Sequence, residues 1–113
     1  MALFVVLGRL TDQGAKNMRG LESRVRENIS RGERLGIRVH GWYLTQGSVD
    51  LVVVAEAPDG ETMLAQTAAV AGTGDARTET LRAYTLDEVQ QAMQKLPEPS
   101  GGAPGAPPPT GQP

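Results

Sequence analysis

The sequence predicts an α+β domain, in which four antiparallel strands form one sheet and two main helices cover one face of it. Two continuously apolar segments, Ala2–Leu7 and Leu51–Ala55, have the length and composition of buried strands. Two other segments favour helices, one through apolar residues at helical spacing and one through its alanine content. The order along the chain is β-α-β-β-α-β-α, which corresponds to two split β-α-β units and a short final helix.

The first third of the chain predicts a strand and a long helix. After the strand Ala2–Leu7, Thr11 stands directly before Asp12, as expected for a helix N-cap and an acidic first turn. An apolar stripe at near-helical spacing follows: Met18, Leu21, Val25, Ile29 and Leu35. Gly36 is the predicted end of the helix. Three glycines inside the pattern predict that the helix is irregular: Gly14, Gly20 and Gly32.

The middle of the chain predicts a hairpin and a second helix. Ile37–Thr45 is rich in residues that favour strands, and Val49–Ala57 is the second strand of the hairpin. Gln46–Ser48 between them has the composition of a turn. Pro58 suits a turn or a first helical position, and the alanine-rich segment Glu61–Ala71 follows as a helix.

The last strand and a third helix complete the domain. Arg77–Tyr84 alternates weakly between apolar and polar residues, which favours a strand. Thr85 and Glu88 have the spacing of a capping box, and a short helix with apolar residues follows: Leu86, Val89, Met93 and Leu96. With right-handed crossovers, the four strands form a ferredoxin-like sheet in the order 4-1-3-2.

The C-terminal segment predicts a disordered tail. Seven of the eight prolines fall in Pro97–Pro113, and no large apolar residue occurs after Leu96. Such a segment has nothing to bury, so ordering it would cost roughly 1–2 kcal/mol per residue without compensation. We therefore place the folded domain at residues 1–96 and the Pro/Gly-rich tail at residues 97–113.

Composition excludes several classes of function. The chain has no cysteine and one histidine, so we expect no metal site and no cofactor. The net charge of -2 argues against nucleic acid as a partner. An RNA-binding sheet of this topology needs aromatic residues on its central strands, and here Phe4 is the only one. The apolar segments are too short to span a bilayer, and the N terminus does not resemble a signal peptide, so we expect a cytoplasmic protein.

The apolar strands predict a homodimer. Both central strands lack the alternation of a sheet with one face in water, so a monomer would expose a patch of valine and leucine. A second copy stacked face to face on the sheet would cover this patch. On this interpretation, replacing Val53 with aspartate should disrupt dimerisation or folding.

Four segments of the chain carry a recognisable pattern. They are Leu7-Gly8-Arg9-Leu10-Thr11-Asp12-Gln13-Gly14, Trp42-Tyr43-Leu44-Thr45-Gln46-Gly47, Glu56-Ala57-Pro58-Asp59 and Arg77-Thr78-Glu79-Thr80-Leu81-Arg82-Ala83-Tyr84. In this order they resemble the GYD domain family, which consists of small bacterial and archaeal proteins of the dimeric α+β barrel superfamily. The resemblance runs from Phe4 to about Met93.

The resemblance implies a ferredoxin-like subunit that pairs through its sheet, and it implies little about activity. The motif that names the family is Gly-x-Tyr-Asp. This chain has Gly47-Ser48-Val49-Asp50 at that place, with valine where the family has tyrosine. A role that depends on the tyrosine would therefore not carry over to this chain.

The topology predicts a binding site at one end of the sheet. The segments Arg9–Gly14, Gln46–Asp50 and Gly72–Arg77 should meet there. Arg9 and Arg77 could bind an anion together with the amino end of the first helix, where Thr11 lies. The alternative is that Asp12 and Asp50 neutralise the two arginines.

The second strand supplies the other candidates. His40 and Trp42 are two residues apart, so they share a face of the second strand. In related barrel enzymes such a pair could line a cavity and bind or deprotonate an aromatic substrate, with His40 moving the proton. The alternative is a partly solvated histidine on an edge strand. Tyr43 should then face a helix. Glu56, on a central strand, should need a backbone amide or an arginine as a partner.

Three hypotheses about function remain. The first is a small dimeric module that binds a metabolite or a partner protein and has a regulatory role. The second is a cofactor-independent monooxygenase or isomerase that uses His40 and Trp42, or the Arg9 and Asp50 end. The third is a structural or accessory subunit that is tethered by its tail. Since the sequence contains no evident catalytic set, we rank the binding module first.

Overall fold

The computed structural model describes residues 1–98. They contain four strands and four α-helices, in this order: β1 (Ala2–Leu10), α1 (Asp12–Lys16), α2 (Leu21–Arg34), β2 (Arg38–Leu44), β3 (Leu51–Ala57), α3 (Gly60–Gly72), β4 (Ala76–Ala83) and α4 (Leu86–Met93). The chain divides into a compact unit, Met1–Ala83, and a second unit that begins at Tyr84. The first unit contains the whole sheet.

The four strands form one antiparallel sheet in the order β2-β3-β1-β4. This confirms the predicted strand order and the α+β class. β1 and β3 are the central strands, and they pair along almost their whole length, from Ala2 opposite Ala57 to Gly8 opposite Leu51.

The register assigns every strand residue to one of two faces. Val6 pairs with Val53 on one side and with Thr80 on the other, and this face packs against α2 and α3. We call it the helix face. The core lies here: Phe4, Val6, Ile37, Ala55, Ala57 and Met63. This confirms the prediction that both main helices cover one face of the sheet.

The second face of the sheet carries no helix from the unit Met1–Ala83, and we call it the open face. Six apolar side chains of three adjacent strands lie on it: Leu3, Val5, Leu7, Val52, Val54 and Leu81. The register also corrects the choice of Val53 as the residue that tests dimerisation. Val53 lies on the helix face and packs against the core, so the matching position on the open face is Val54.

A bulge in β2 separates two residues that the sequence predicted to share a face. The pairing of β2 with β3 shifts between Val39 and Gly41, so the side-chain alternation changes there. Trp42 pairs with Val53 on the helix face, whereas His40 bonds to Glu56 on the open face. The prediction that His40 and Trp42 share a face is therefore wrong. Tyr43 was also predicted to face a helix, but it lies on the open face and is 57% exposed.

The long N-terminal helix is irregular, as its glycines predicted. Thr11 caps α1 by accepting a hydrogen bond from the backbone N–H of Gly14, at 3.2 Å. A single 3₁₀ turn, Met18–Gly20, separates α1 from α2. At the other end, Gly36 has a φ of 88°, a left-handed conformation that favours glycine and ends the helix.

The cap of α3 makes the stability of the fold pH-dependent. The Asp59 carboxylate accepts a hydrogen bond from the backbone N–H of Thr62 at 2.7 Å, and this bond lowers the pKa of Asp59 below its ordinary 3.8. A lowered pKa in the folded state means that the carboxylate stabilises the fold above pH 3.8, and that this contribution disappears as the pH falls through the folded-state pKa. We expect the stability difference between the wild-type protein and Asp59→Asn to shrink on acidification. Urea unfolding at neutral and acidic pH measures it, and a pH-independent difference would contradict it.

The second unit contains α4, which we describe by itself. Thr85 Oγ1 accepts a hydrogen bond from the backbone N–H of Glu88, and the Glu88 carboxylate accepts one from the backbone N–H of Thr85. These two bonds confirm the predicted capping box. Residues 99–113 lie outside the described residues, and with them nearly all of the predicted tail.

Candidate functional site

Three predicted segments meet at one end of the sheet, as the topology indicated. The backbone N–H of Thr11 donates to the carbonyl of Asp75 at 3.0 Å, and the Thr11 hydroxyl donates to the carbonyl of Gly74 at 2.6 Å. The Gln13 side chain donates to the Asp75 carboxylate at 2.8 Å. The start of α1 is therefore fastened to the loop before β4. The Thr11 hydroxyl is already engaged twice, as an acceptor in the cap and as a donor to Gly74.

Asp50 also has a structural role at this end. Its carboxylate accepts a hydrogen bond from the backbone N–H of Leu10 at 2.8 Å, and its own N–H donates to the carbonyl of Gly8 at 2.8 Å. Arg9 donates through Nε to the carbonyl of Ser48 at 2.7 Å. Among residues 1–98, neither Asp12 nor Asp50 forms an ion pair with Arg9 or Arg77, so the ion-pair part of the alternative is wrong, whereas Asp50 does bind a backbone N–H.

Arg9 and Arg77 lie directly opposite each other on adjacent strands of the open face. Both residues are exposed. Glu79 lies two residues along β4 on the same face, but it forms no ion pair with either arginine. Two like charges across a strand pair repel each other, and a further acidic group at this end would relieve the repulsion. The geometry therefore favours an acidic group as the partner of this corner, which we call the arginine corner.

His40 and Glu56 form a pair elsewhere on the open face. His40 Nε2 and a Glu56 carboxylate oxygen are 2.8 Å apart. Glu56 thus obtains its partner from a histidine of the neighbouring strand, not from the predicted arginine or backbone amide. His40 is exposed, and neither His40 nor Glu56 lines the cavity that is described next.

A cavity of about 250 Å³ lies between the helix face, α2 and α3. Its walls are mainly apolar, and they include the following residues: Val25, Ile29, Trp42, Val53, Met63 and Val70. Of the predicted binding residues, Trp42 lines this cavity, and Arg9, Thr11 and Arg77 do not. Arg9 and Arg77 lie on the opposite face of the sheet.

Polar side chains from both helices also line this cavity. Arg24 forms an ion pair with Asp75, in which Nε and Oδ2 are 3.0 Å apart. It also donates from Nη1 to the carbonyl of Asn17 at 2.9 Å. Arg31 donates from Nη2 to the Asn28 side chain, and Gln66 donates to the Asn28 carbonyl. Three buried polar atoms have no hydrogen-bond partner among the described residues: Arg24 Nη2, Arg31 Nη1 and Gln66 Oε1.

A comparison with protein families gives a match over most of the chain. A family model of the GYD domain matches residues 4–93. The chain belongs to the GYD domain family. A relative from the bacterium Thermus thermophilus, named glutamine synthetase and cystathionine beta-lyase binding protein, is 37% identical over 90 residues, which are 79% of this chain and 95% of the relative. No solved structure matches at a significant level.

In this GYD domain, the motif that names the family lies in the β2–β3 connection. Val49 occupies the place of the tyrosine, and its carbonyl accepts a hydrogen bond from the Thr45 hydroxyl at 2.6 Å. Asp50, the last residue of the motif, joins the start of β3 to the end of β1 through the two bonds given above. The aspartate of the motif thus stabilises the sheet.

Sequence reasoning missed the polar groups of the cavity in this GYD domain. The charges of the first helix were interpreted as a solvated face. The signal that could have found them is spacing: Arg24, Asn28 and Arg31 follow one another at helical intervals next to the apolar stripe. Among residues 1–98, no group of three or more acidic or histidine side chains could hold a metal ion, and no helix is long and apolar enough to cross a membrane.

Proposed function

We propose that this GYD-domain protein is a small homodimeric module that binds metabolic enzymes in the cytoplasm and regulates them. The observation that carries the proposal is the relative named as a binding protein for glutamine synthetase and cystathionine beta-lyase, because the aligned region spans 95% of it. At 37% identity over 90 residues, a shared binding role is a reasonable basis for experiment. The two enzymes are therefore the partners to test.

The open face supports the homodimer. Its six apolar side chains lie on three adjacent strands, and contiguous apolar patches of this kind are rarely left in water. A second copy of the same sheet presents the same apolar centre, so a two-fold pairing would cover both. The charged and titratable residues of this face would then lie at the edges of the interface: Arg9, Arg38, His40, Glu56, Arg77 and Glu79.

The arginine corner supports an acidic contact with the partner. Arg9 and Arg77 lie at the end of the sheet beside the β2–β3 connection, where a dimer through the centre of the open face would leave them accessible. We propose that they contact carboxylates of the bound enzyme. A charge at the rim of an interface mainly affects the rate and the salt dependence of association.

The experiment measures binding of the full chain to purified glutamine synthetase and cystathionine beta-lyase, both from the organism in which this chain occurs. Biolayer interferometry with immobilised enzyme is expected to give a micromolar or tighter Kd for at least one of them. Arg77→Glu should weaken binding about tenfold, mostly through slower association. The matched control is Arg34→Glu, which makes the same charge change on an exposed residue of α2 and should alter the Kd less than about twofold.

Two results would contradict the proposal. If the full chain binds neither enzyme at micromolar concentrations, the binding role does not extend from the relative to this chain. If Arg34→Glu weakens binding as much as Arg77→Glu does, the effect is a general one of net charge, and the arginine corner is not the contact.

The enzyme alternative has two forms. The first uses His40 and Trp42 together in one cavity, and the bulge in β2 places them on opposite faces. The second uses the Arg9 and Asp50 end. At that end, Asp50 holds a backbone amide. The tether alternative concerns residues 97–113, and a chain that ends at Leu96 tests it: loss of enzyme binding would favour the tether, and retained binding would favour the folded domain as the binding element.

A further inference from the structure

The cavity contains a buried arginine atom without a counter-charge. Arg31 Nη1 has no hydrogen-bond partner, and Arg31 has no carboxylate within 4.0 Å among residues 1–98. Arg24 differs, because Asp75 pairs with it at 3.0 Å. Glu27, one turn earlier on α2, also lines the cavity, but its carboxylate is not within 4.0 Å of Arg31. A guanidinium that is partly removed from water without a close counter-ion is costly, so Arg31 is where a bound anion would gain the most binding free energy.

Asn28 brings a second polar atom to the same part of the cavity. Its side-chain oxygen accepts from Arg31 Nη2 at 2.8 Å, and its backbone carbonyl accepts from Gln66 Nε2 at 2.7 Å. The second bond fixes the orientation of the Gln66 amide, since the carbonyl needs a donor. Gln66 Oε1 is therefore a buried acceptor without a donor. The cavity thus offers an unsatisfied N–H on Arg31 and an unsatisfied oxygen on Gln66.

The rest of the cavity sets the size and polarity of a ligand. An apolar cavity of about 150 Å³ holds one benzene, so about 250 Å³ accommodates roughly ten non-hydrogen atoms. Most of the lining is aliphatic, with the indole of Trp42 as its aromatic part. A ligand that fits would have an apolar body, a carboxylate for Arg31 and a hydrogen-bond donor next to the carboxylate for Gln66.

We propose that this cavity is a binding site for a small 2-hydroxy or 2-amino carboxylic acid with an apolar side chain. The carboxylate accepts from Arg31 Nη1, and the hydroxyl or ammonium group donates to Gln66 Oε1. The side chain lies against the aliphatic wall and Trp42. This site is on the helix face, so it is separate from the arginine corner and from the open face, and its test does not depend on enzyme binding.

The single tryptophan of the chain provides the readout, because Trp42 lines the cavity. The probes are mandelate and phenylglycine, which carry the donor, phenylacetate, which lacks it, and benzyl alcohol, which lacks the carboxylate. Titration of the full-length protein is followed by the change in Trp42 emission, which gives a Kd for each probe. Affinity is expected to be highest for mandelate or phenylglycine, lower for phenylacetate and lowest for benzyl alcohol. The stronger of the first two identifies whether the hydroxy or the amino acid is the ligand class.

Two variants assign the polar contacts. Arg31→Met should raise the Kd of mandelate roughly ten- to a hundredfold, because it removes a charged hydrogen bond. The Kd of benzyl alcohol, which has no carboxylate, should not change. Gln66→Leu should abolish the preference for mandelate over phenylacetate. The control is Arg34→Met, since Arg34 is exposed on the same helix and does not line the cavity. Thermal unfolding checks that each variant is folded, and Arg31→Met should be at least as stable as the wild type because the unpaired buried charge is gone.

Three results would overturn the proposal. Unchanged Trp42 emission at millimolar concentrations of every probe would mean that the cavity binds no ligand of this size. Equal affinity for benzyl alcohol and mandelate would mean that it is a purely apolar cavity. An unchanged mandelate Kd in Arg31→Met would remove the arginine from the site.

Discussion

Val54→Asp is expected to dissociate the proposed dimer and to leave the subunit folded. Val54 lies in the middle of the open face, where Val5 of β1 and Gly41 of β2 are its direct neighbours across the strands. In a sheet-to-sheet dimer, an aspartate there would be buried without a counter-charge. Such burial costs several kcal/mol, so the dimer Kd should rise by more than roughly a hundredfold. In a monomer the same carboxylate would lie at a half-exposed position of the open face, and the cost to folding should be ~1 kcal/mol.

Sedimentation velocity at micromolar concentration measures this prediction. The wild type should sediment as a dimer and Val54→Asp as a monomer, with circular dichroism confirming a folded chain. The matched control is Ser23→Asp, which places the same charge on an exposed position of α2 and should remain dimeric. A wild-type monomer, or a Val54→Asp variant that remains a dimer, would refute the pairing through the open face.

A substitution at Val53 would not distinguish a loss of folding from a loss of association. Val53 packs against the core on the helix face, so Val53→Asp would bury a charge inside the subunit whether or not a dimer forms. Adjacent residues of a strand point to opposite faces, so aspartate at residue 53 tests the stability of the subunit core, whereas aspartate at residue 54 tests association. The two variants together distinguish the core from the interface.

Gly14→Ala is expected to destabilise the fold by about 3 kcal/mol through overpacking. Gly14 is buried in α1, and a Cβ atom at this position would collide with the backbone carbonyl oxygen of Asp75. That carbonyl also accepts the hydrogen bond from Thr11 N–H at 3.0 Å, so it cannot move without breaking the junction between α1 and the loop before β4. Relief would require a shift of backbone, not only of a flexible side chain.

Equilibrium urea unfolding measures the loss of stability, with Gly72→Ala as the control. Gly72 is the last residue of α3, and a Cβ there meets nothing within 4 Å. Because alanine favours helix over glycine, this control should be neutral or stabilising by up to about 1 kcal/mol. If the two variants have the same stability, the close approach of Gly14 to Asp75 does not constrain the fold.

Local patterns were sufficient for the elements and their caps. The Thr11 cap, the Thr85–Glu88 capping box and the helix end at Gly36 were all predicted, since each depends on residues within a few positions of one another. The strand order followed from the order of the elements and the handedness of crossovers. For the same reason, the meeting of three segments at one end of the sheet was correctly expected.

From the sequence, Gly14 is predicted only to weaken a helix, whereas the structure shows a second role for it. The glycine allows α1 to approach the backbone of Asp75, which is 61 residues away in the chain. Nothing in the neighbourhood of residue 14 contains this information. A close contact between distant segments exists only after the sheet has brought the two loops together.

The sequence by itself determined the α+β class, the strand order, the helix caps and the apolar character of both sheet faces. Tertiary structure decided which face each candidate residue occupies, because the bulge before Gly41 sends His40 and Trp42 to opposite sides. It also decided that Arg31 and Gln66 meet around Asn28 in a cavity, since that meeting depends on how α3 packs against α2. Periodicity within one element specifies which side chains share a side, but only the packing of elements specifies what that side faces.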